Sequence, residues 1–145
     1  MGREIEKSAA TLKRDTGDRI HQSMSPPRPL AVLAEDDEFA RLVAADMLTK
    51  MGFEVLEAEH AHGALQHLEA HDGVALLYTD VNMPGAMDGC DLAHAVRARW
   101  PDTRIIVCSG CTPNEAALLP GEAHFIAKPC GERLVRKALQ TLQLH

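Results

Sequence analysis

The chain has 145 residues, 46% of them apolar and 25% charged, a balance that suits one domain burying roughly two-thirds of its extended-chain surface and excludes a fibre. Its apolar runs are strand-sized, well short of the about 18 residues a spanning helix needs, and no charged-then-apolar leader opens it, so a cytoplasmic protein with no membrane insertion is expected. The net charge of −6 is uneven: residues 1–29 hold six Lys/Arg against four Asp/Glu, the remainder nine against seventeen. An acidic body disfavours nucleic acid as a direct ligand and suits a divalent cation or a basic partner.

Residues 1–29 are polar and charged and close on Ser25-Pro-Pro-Arg-Pro29, where three prolines prevent regular structure. They read as a flexible extension ahead of a domain over 30–145, with Met24 as a second candidate start. Leu30-Ala-Val-Leu-Ala34 is a continuous apolar run, the pattern of a parallel strand covered on both faces. It meets Glu35-Asp-Asp-Glu38, where Asp37 can cap a helix whose apolar stripe is Phe39, Leu42, Val43, Met47 and Met51. Gly52 stops that helix.

A second strand is expected over Phe53 to Ala58, a helix over His62 to His71, and a third strand over Val74 to Thr79, ending abruptly at Asp80 before Pro84 and Gly85. A helix follows from Cys90 to Trp100, with Leu92, Val96 and Trp100 on one face, and Pro101 closes it. Arg104 to Cys108 is the fourth strand. Thr112-Pro-Asn-Glu115 has capping-box spacing with proline at the first helical position, so another helix begins there. Ala123 to Ala127 is the fifth strand, and Glu132 to Leu142 the last helix, with Leu134, Ala138, Leu139 and Leu142 inward. Five strands alternating with five helices predict an α/β domain with a parallel sheet and right-handed crossovers.

Ligands of such sheets sit beyond the carboxyl ends of the strands. That edge collects Glu35, Asp36, Asp80, Ser109 and Lys128. Two carboxylates about 4 Å apart repel by roughly 4 kcal/mol at an effective dielectric near 20, so the cluster calls for a cation or a raised pKa. Hard oxygen ligands in this number suit Mg²⁺.

Four segments now resemble the receiver domains of two-component response regulators: Val32-Leu-Ala-Glu35-Asp36-Asp37, Thr79-Asp80-Val-Asn-Met-Pro84 with Asp88-Gly89, Ile106-Val-Cys-Ser109-Gly110, and Phe125-Ile-Ala-Lys128-Pro129. They occur in the family's order and spacing, over residues 30 to about 143. The resemblance implies a flavodoxin-like (βα)5 fold with strand order 2-1-3-4-5. It implies that Asp80 accepts a phosphoryl group from a phosphohistidine on a sensor histidine kinase or histidine phosphotransfer protein, with Mg²⁺ held by Glu35, Asp36, Asp80 and the backbone carbonyl of Asn82. Lys128 and Ser109 would act on the phosphoryl group. Ser109 and Phe125 would form the switch, signalling to a downstream protein through the 112–142 surface, and Lys128-Pro129 would be cis. The implied protein is a single-domain regulator, a monomer or weak dimer, that catalyses only its own phosphoryl transfer and slow autodephosphorylation.

Other readings stand beside these. Phe125 is equally a core residue, and phosphorylation of an adaptor or phosphate sink would alter no output surface. A small-molecule phosphatase using an aspartyl-phosphate would carry a second Asp where Asn82 stands. The four cysteines read as reduced core thiols, although Cys108-Ser-Gly-Cys111 has the spacing of a redox or metal pair. His67 and His71 have the i, i+4 spacing of a metal pair but read as surface histidines. The segment from Pro84 to Asp88 is one residue longer than the family's commonest version, and Cys111 stands at a position that tunes dephosphorylation in the family.

Overall fold

The computed structural model describes residues 27–110 and 118–143. The expected extension up to Pro26 and the helix expected from Thr112 lie outside the described residues. Within them, five strands are β1 (Leu30–Ala34), β2 (Glu54–Ala58), β3 (Leu76–Thr79), β4 (Arg104–Ser109) and β5 (His124–Ala127). The four helices are α1 (Glu38–Lys50), α2 (Ala61–Ala70), α3 (Gly89–Arg99) and α4 (Glu132–Thr141). Every strand pairing is parallel and the sheet order is β2-β1-β3-β4-β5, as the sequence led us to expect.

The sheet is central because its strands are apolar on both faces. Along β1 and β3, Val32, Ala34 and Leu77 face a core closed by Ala61, Ala64 and Leu68 of α2 and by Leu92, Ala93 and Val96 of α3. The alternate residues Ala31, Leu33, Leu76 and Tyr78 face Ala44, Ala45 and Leu48 of α1 and Val135, Ala138 and Leu139 of α4. Leu33, Leu76 and Leu77 are fully buried, so truncating any one to Ala costs about 3 kcal/mol. The same two-sided burial fixes the register that brings the ends of β1, β3 and β4 level.

Helix starts carry local signals. Asp37 caps α1, accepting from Phe39 N at 2.9 Å and Ala40 N at 3.4 Å. At α3, Asp88 and Asp91 form a reciprocal capping box, which places the start one residue before the expected Cys90.

Three expectations are corrected. On α1, Met47 and Met51 pack against the core as expected, but Phe39, Leu42 and Val43 are 73%, 64% and 52% exposed, while Ala44, Ala45 and Leu48 are buried. The buried stripe is rotated by one residue, about 100°, because the small Ala44 and Ala45 let the helix backbone approach β1 where bulkier residues would hold it off. On α4, Ala138 and Leu139 are buried as expected, but Leu134 is 48% exposed and Val135 takes its inward position. The third concerns thiols: Cys108 and Cys130 are joined as a disulfide, while Cys90 is buried on α3 outside that bridge. Cys130 falls in the turn after β5, which folds back beside the end of β4, a proximity that linear spacing conceals.

His67 and His71 do not converge on a common point: His67 Nε2 lies 2.7 Å from the Glu57 carbonyl, and His71 Nδ1 lies 2.9 Å from the His67 carbonyl. Each ring is engaged with backbone, as surface histidines often are.

Candidate functional site

Asp80 follows directly on β3, the central strand. Its N–H donates to the Ala34 carbonyl at 3.1 Å, so the β1–β3 ladder continues through it and its direction is set by the sheet. The carboxylate is divided between two kinds of partner. Oδ1 accepts from Val81 N at 2.7 Å and Asn82 N at 3.4 Å, whereas Oδ2 lies 3.2 Å from Lys128 Nζ. Behind it the Thr79 hydroxyl donates to the Asp80 carbonyl at 2.8 Å.

Glu35 enters from the end of β1. Its N–H is held by the Ala58 carbonyl at 3.0 Å, and its own carbonyl accepts from Arg41 Nη1 at 2.9 Å. Arg41 also pairs with Glu57, Nε to Oε1 at 3.3 Å, so it ties the β1–α1 turn to β2. The Glu35 carboxylate accepts from Asp37 N at 3.1 Å and lies 3.5 Å from Lys128 Nζ. One carboxylate oxygen from each of Glu35, Asp36 and Asp80 falls within 4.8 Å of the others. Glu35 and Asp80 are buried and Asp36 is exposed, which leaves one side of the cluster open to solvent.

Three carboxylates against one ammonium leave a local excess of negative charge, and the protonation of its neighbours reflects it. Burial raises the Glu35 pKa, Asp37 N–H opposes the rise, and the charge of Asp80 adds to it. Burial acts to lower the Lys128 pKa, but its hydrogen bond to Asp80 and the charges of Asp80 and Glu35 outweigh that and raise it. The Tyr78 phenol beneath the cluster is raised far above its ordinary value, first by burial and then by Glu35 and Asp80.

Lys128 is positioned by the sheet: its N–H donates to the Ser109 carbonyl at 2.9 Å, extending the β4–β5 ladder by one rung, and the Lys128–Pro129 peptide is cis. Ser109 itself is fully buried at the end of β4. Phe125, half-buried, pairs in register with Val107, two positions short of the Ser109–Ala127 pair, and packs against the core beneath α2 and α3. The structure thus gathers Glu35, Asp36, Asp80 and Lys128 tightly, brings Ser109 and the Asn82 backbone alongside, and sets Phe125 in the neighbouring core. A groove of about 250 Å³ opens beside them, lined by Asp80, Lys128, Phe39, Val43, Cys108 and Cys130 among others.

Sequence reasoning passed over Arg41, Tyr78 and the steric role of Gly89. A Cβ on Gly89 would fall on the Asp80 carbonyl oxygen and come within 2.7 Å of Val81 Cα, while Gly89 N donates to the Val81 carbonyl at 2.8 Å. The Asp88-Gly89 pair signals a turn; only the fold reveals that the turn backs onto Asp80. The longer segment before it is exposed from Pro84 to Ala86 and turns at Gly85 with φ +109°, a conformation that glycine adopts without a Cβ penalty.

A parallel five-stranded sheet with an acidic cluster and a lysine at its carboxyl edge is the architecture of a receiver. The sequence profile described as "Response regulator receiver domain" matches residues 31–140, and the chain belongs to that family. It is 32% identical over 117 residues to the chemotaxis protein CheY1 of Helicobacter pylori strain J99, covering 77% of this chain and 94% of that protein. It is 32% identical over 115 residues to the CheY homologue of Campylobacter jejuni serotype O:23/36, covering 75% and 88%. The crystal structure of a response regulator receiver protein from Pseudomonas putida superposes with a TM-score of 0.69 at 27% identity, covering 81% of this chain and 99% of that one. Receiver domains are signalling modules rather than turnover enzymes, and the acidic pocket is compatible with aspartate phosphorylation and Mg²⁺ binding. Among the described residues no helix is long and apolar enough to cross a membrane.

Proposed function

We propose that this chain is a stand-alone, CheY-like response regulator that accepts a phosphoryl group on Asp80. The observation that carries the proposal is the placement of Asp80 Oδ2, 3.2 Å from Lys128 Nζ and beside the Glu35 and Asp36 oxygens. A carboxylate oxygen attacks the phosphorus of a phosphohistidine, an O–P bond forms as the P–N bond breaks, and the imidazole leaves with the electron pair and takes up a proton. Such a transfer needs positioning and neutralised charge more than covalent chemistry.

The chain's residues divide that work. Val81 N–H and Asn82 N–H hold Oδ1, which leaves Oδ2 as the attacking atom. Lys128 moves from the free carboxylate to the equatorial oxygens of the arriving group, and the Ser109 hydroxyl donates to another. Glu35, Asp36, Asp80 and the Asn82 carbonyl are the ligand set for Mg²⁺, which when bound supplies positive charge to the phosphoryl oxygens. Hard oxygen donors with one side open to water suit that ion.

The donor is a sensor histidine kinase or a histidine phosphotransfer protein. Ser109 and Phe125 form the switch, and the downstream protein reads the surface over 112–142. Residues 1–29 form an extension outside the receiver, and the protein works in the cytoplasm as a monomer or weak dimer. The 32% identity to the chemotaxis relatives supports the CheY-like reading. Incubation with Mg²⁺ and acetyl phosphate tests it: the mass should rise by that of one phosphoryl group in wild type, not in Asp80→Asn, and less in Asp36→Asn. Labelling that persists in Asp80→Asn refutes the assignment of Asp80.

A further inference from the structure

We infer that Cys108 and Cys130 are a reversible thiol–disulfide site whose state governs phosphoryl acceptance at Asp80; the coupling, though not the site itself, rests on the phosphoacceptor reading above. The two cysteines sit 22 residues apart with Cα atoms 6.5 Å from each other, inside the range that a disulfide bridges without backbone movement. Each adjoins a residue of the candidate site. Cys108 immediately precedes Ser109 on β4, and Cys130 follows the Lys128–Pro129 turn. The bridge therefore ties the strand carrying the hydroxyl to the turn carrying the ammonium.

Access distinguishes this pair from an inert structural bridge. Both cysteines line the groove that Asp80 and Lys128 line, and Cys130 is half-buried while Cys108 is 3% exposed. Exchange rates follow access to the sulfur, so Cys130 reacts first with a small disulfide such as oxidised glutathione. Its thiolate attacks one sulfur of that disulfide, an S–S bond forms, the small disulfide's S–S bond breaks, and one small thiolate leaves. The Cys108 thiolate then attacks the Cys130 sulfur and expels the second. The protein loses two electrons to the small disulfide, which becomes two thiols carrying the two protons. A dithiol reductant reverses both steps.

The consequence for Asp80 is mechanical. In the bridged state Lys128 Nζ is held 3.2 Å from Asp80 and 3.5 Å from Glu35, with its N–H bonded to the Ser109 carbonyl. Phosphoryl acceptance needs Lys128 to turn from those carboxylates to new oxygens and the Ser109 end of β4 to adjust with it. A covalent tie across both segments resists that movement, so the oxidised protein accepts phosphoryl more slowly than the reduced one.

The test uses the full chain equilibrated with oxidised or reduced glutathione, alkylated and cleaved after glutamate. Glu115 and Glu122 lie between the two cysteines, so a Cys108–Cys130 bridge holds two fragments together until reduction. Oxidised wild type should yield that linked pair, and Cys130→Ser should not. Phosphorylation by acetyl phosphate should be about threefold or more slower when oxidised, within the range by which coupling through a packed element changes function, and equal in both buffers for Cys130→Ser. A linked pair that persists in Cys108→Ser, or no bridge at any glutathione ratio, overturns the site. A bridge with equal rates in both states overturns the coupling. Absence of labelling in either state refutes the phosphoacceptor reading and the coupling with it, while the fragment map still decides the bridge.

Discussion

Lys128 Nζ lies 3.2 Å from Asp80 Oδ2 across 48 residues of sequence, and the same ammonium reaches Glu35 Oε1 at 3.5 Å across 93. One positive charge is shared by two buried carboxylates with Asp36 nearby. Lys128→Met keeps most of the stem and removes the charge. It should lower stability by about 1–2 kcal/mol at neutral pH in the absence of Mg²⁺, less than breaking a fully buried pair because water reaches the ammonium. Urea unfolding measures this, and an unchanged midpoint would mean that solvent alone suffices to separate the carboxylates.

Divalent cation should offset that loss. A folded acidic site that binds Mg²⁺ stabilises the native chain by linkage, about 1.4 kcal/mol at ten times the dissociation constant. The wild-type melting temperature should therefore climb with Mg²⁺ concentration, and Asp36→Asn should need more ion for the same rise. Melting curves that superimpose with and without millimolar Mg²⁺ would rule out the ligand set.

Gly89→Ala probes the turn behind Asp80. The added Cβ meets backbone, the Asp80 carbonyl oxygen and Val81 Cα, and backbone cannot rotate aside as a side chain does. We expect a loss of about 2–3 kcal/mol and slower labelling of Asp80 by acetyl phosphate, because the Asp80 peptide must shift. Wild-type stability with wild-type labelling would show that the turn yields.

Alkali offers a test with a single phenol, since Tyr78 is the chain's one tyrosine. Its folded pKa lies above the ordinary 10.0, so the folded state keeps a proton that the unfolded state releases, and stability falls as pH rises past 10.0. Lys128, raised above 10.5, acts in the same direction: its contribution is complete below 10.5 and is lost as pH climbs through the folded value. Tyrosinate absorbance should therefore appear together with unfolding rather than before it, and Tyr78→Phe should soften the alkaline decline. Absorbance that rises while circular dichroism stays native would contradict the burial argument.

Much of this architecture was legible in the order of residues. Apolar runs such as Leu30–Ala34 specify strands buried on both faces, and their abrupt endings at Glu35, Asp80 and Lys128 mark the functional edge, because a charge ending a buried strand has to emerge at its rim. The misreadings have one origin. On α1 bulk points to Phe39, Leu42 and Val43 and on α4 to Leu134, yet Ala44, Ala45 and Val135 face the sheet, because close packing rewards fit rather than size. Arg41 left no signal since its partner is a backbone carbonyl, and Cys108 with Cys130 left none since a turn brings them together.

The ladder that aligns β1, β3, β4 and the turn after β5 also sets an order in time. A nascent chain that has reached Asp80 already holds Glu35 and Asp36 just after its first strand but not Lys128, whose ammonium offsets them. The cluster around Asp80 remains incomplete until Lys128 has been synthesised and β5 has docked on β4. The cluster therefore certifies its own folding: only a finished sheet brings the ammonium to the carboxylates, and a half-made or unravelled copy never assembles it.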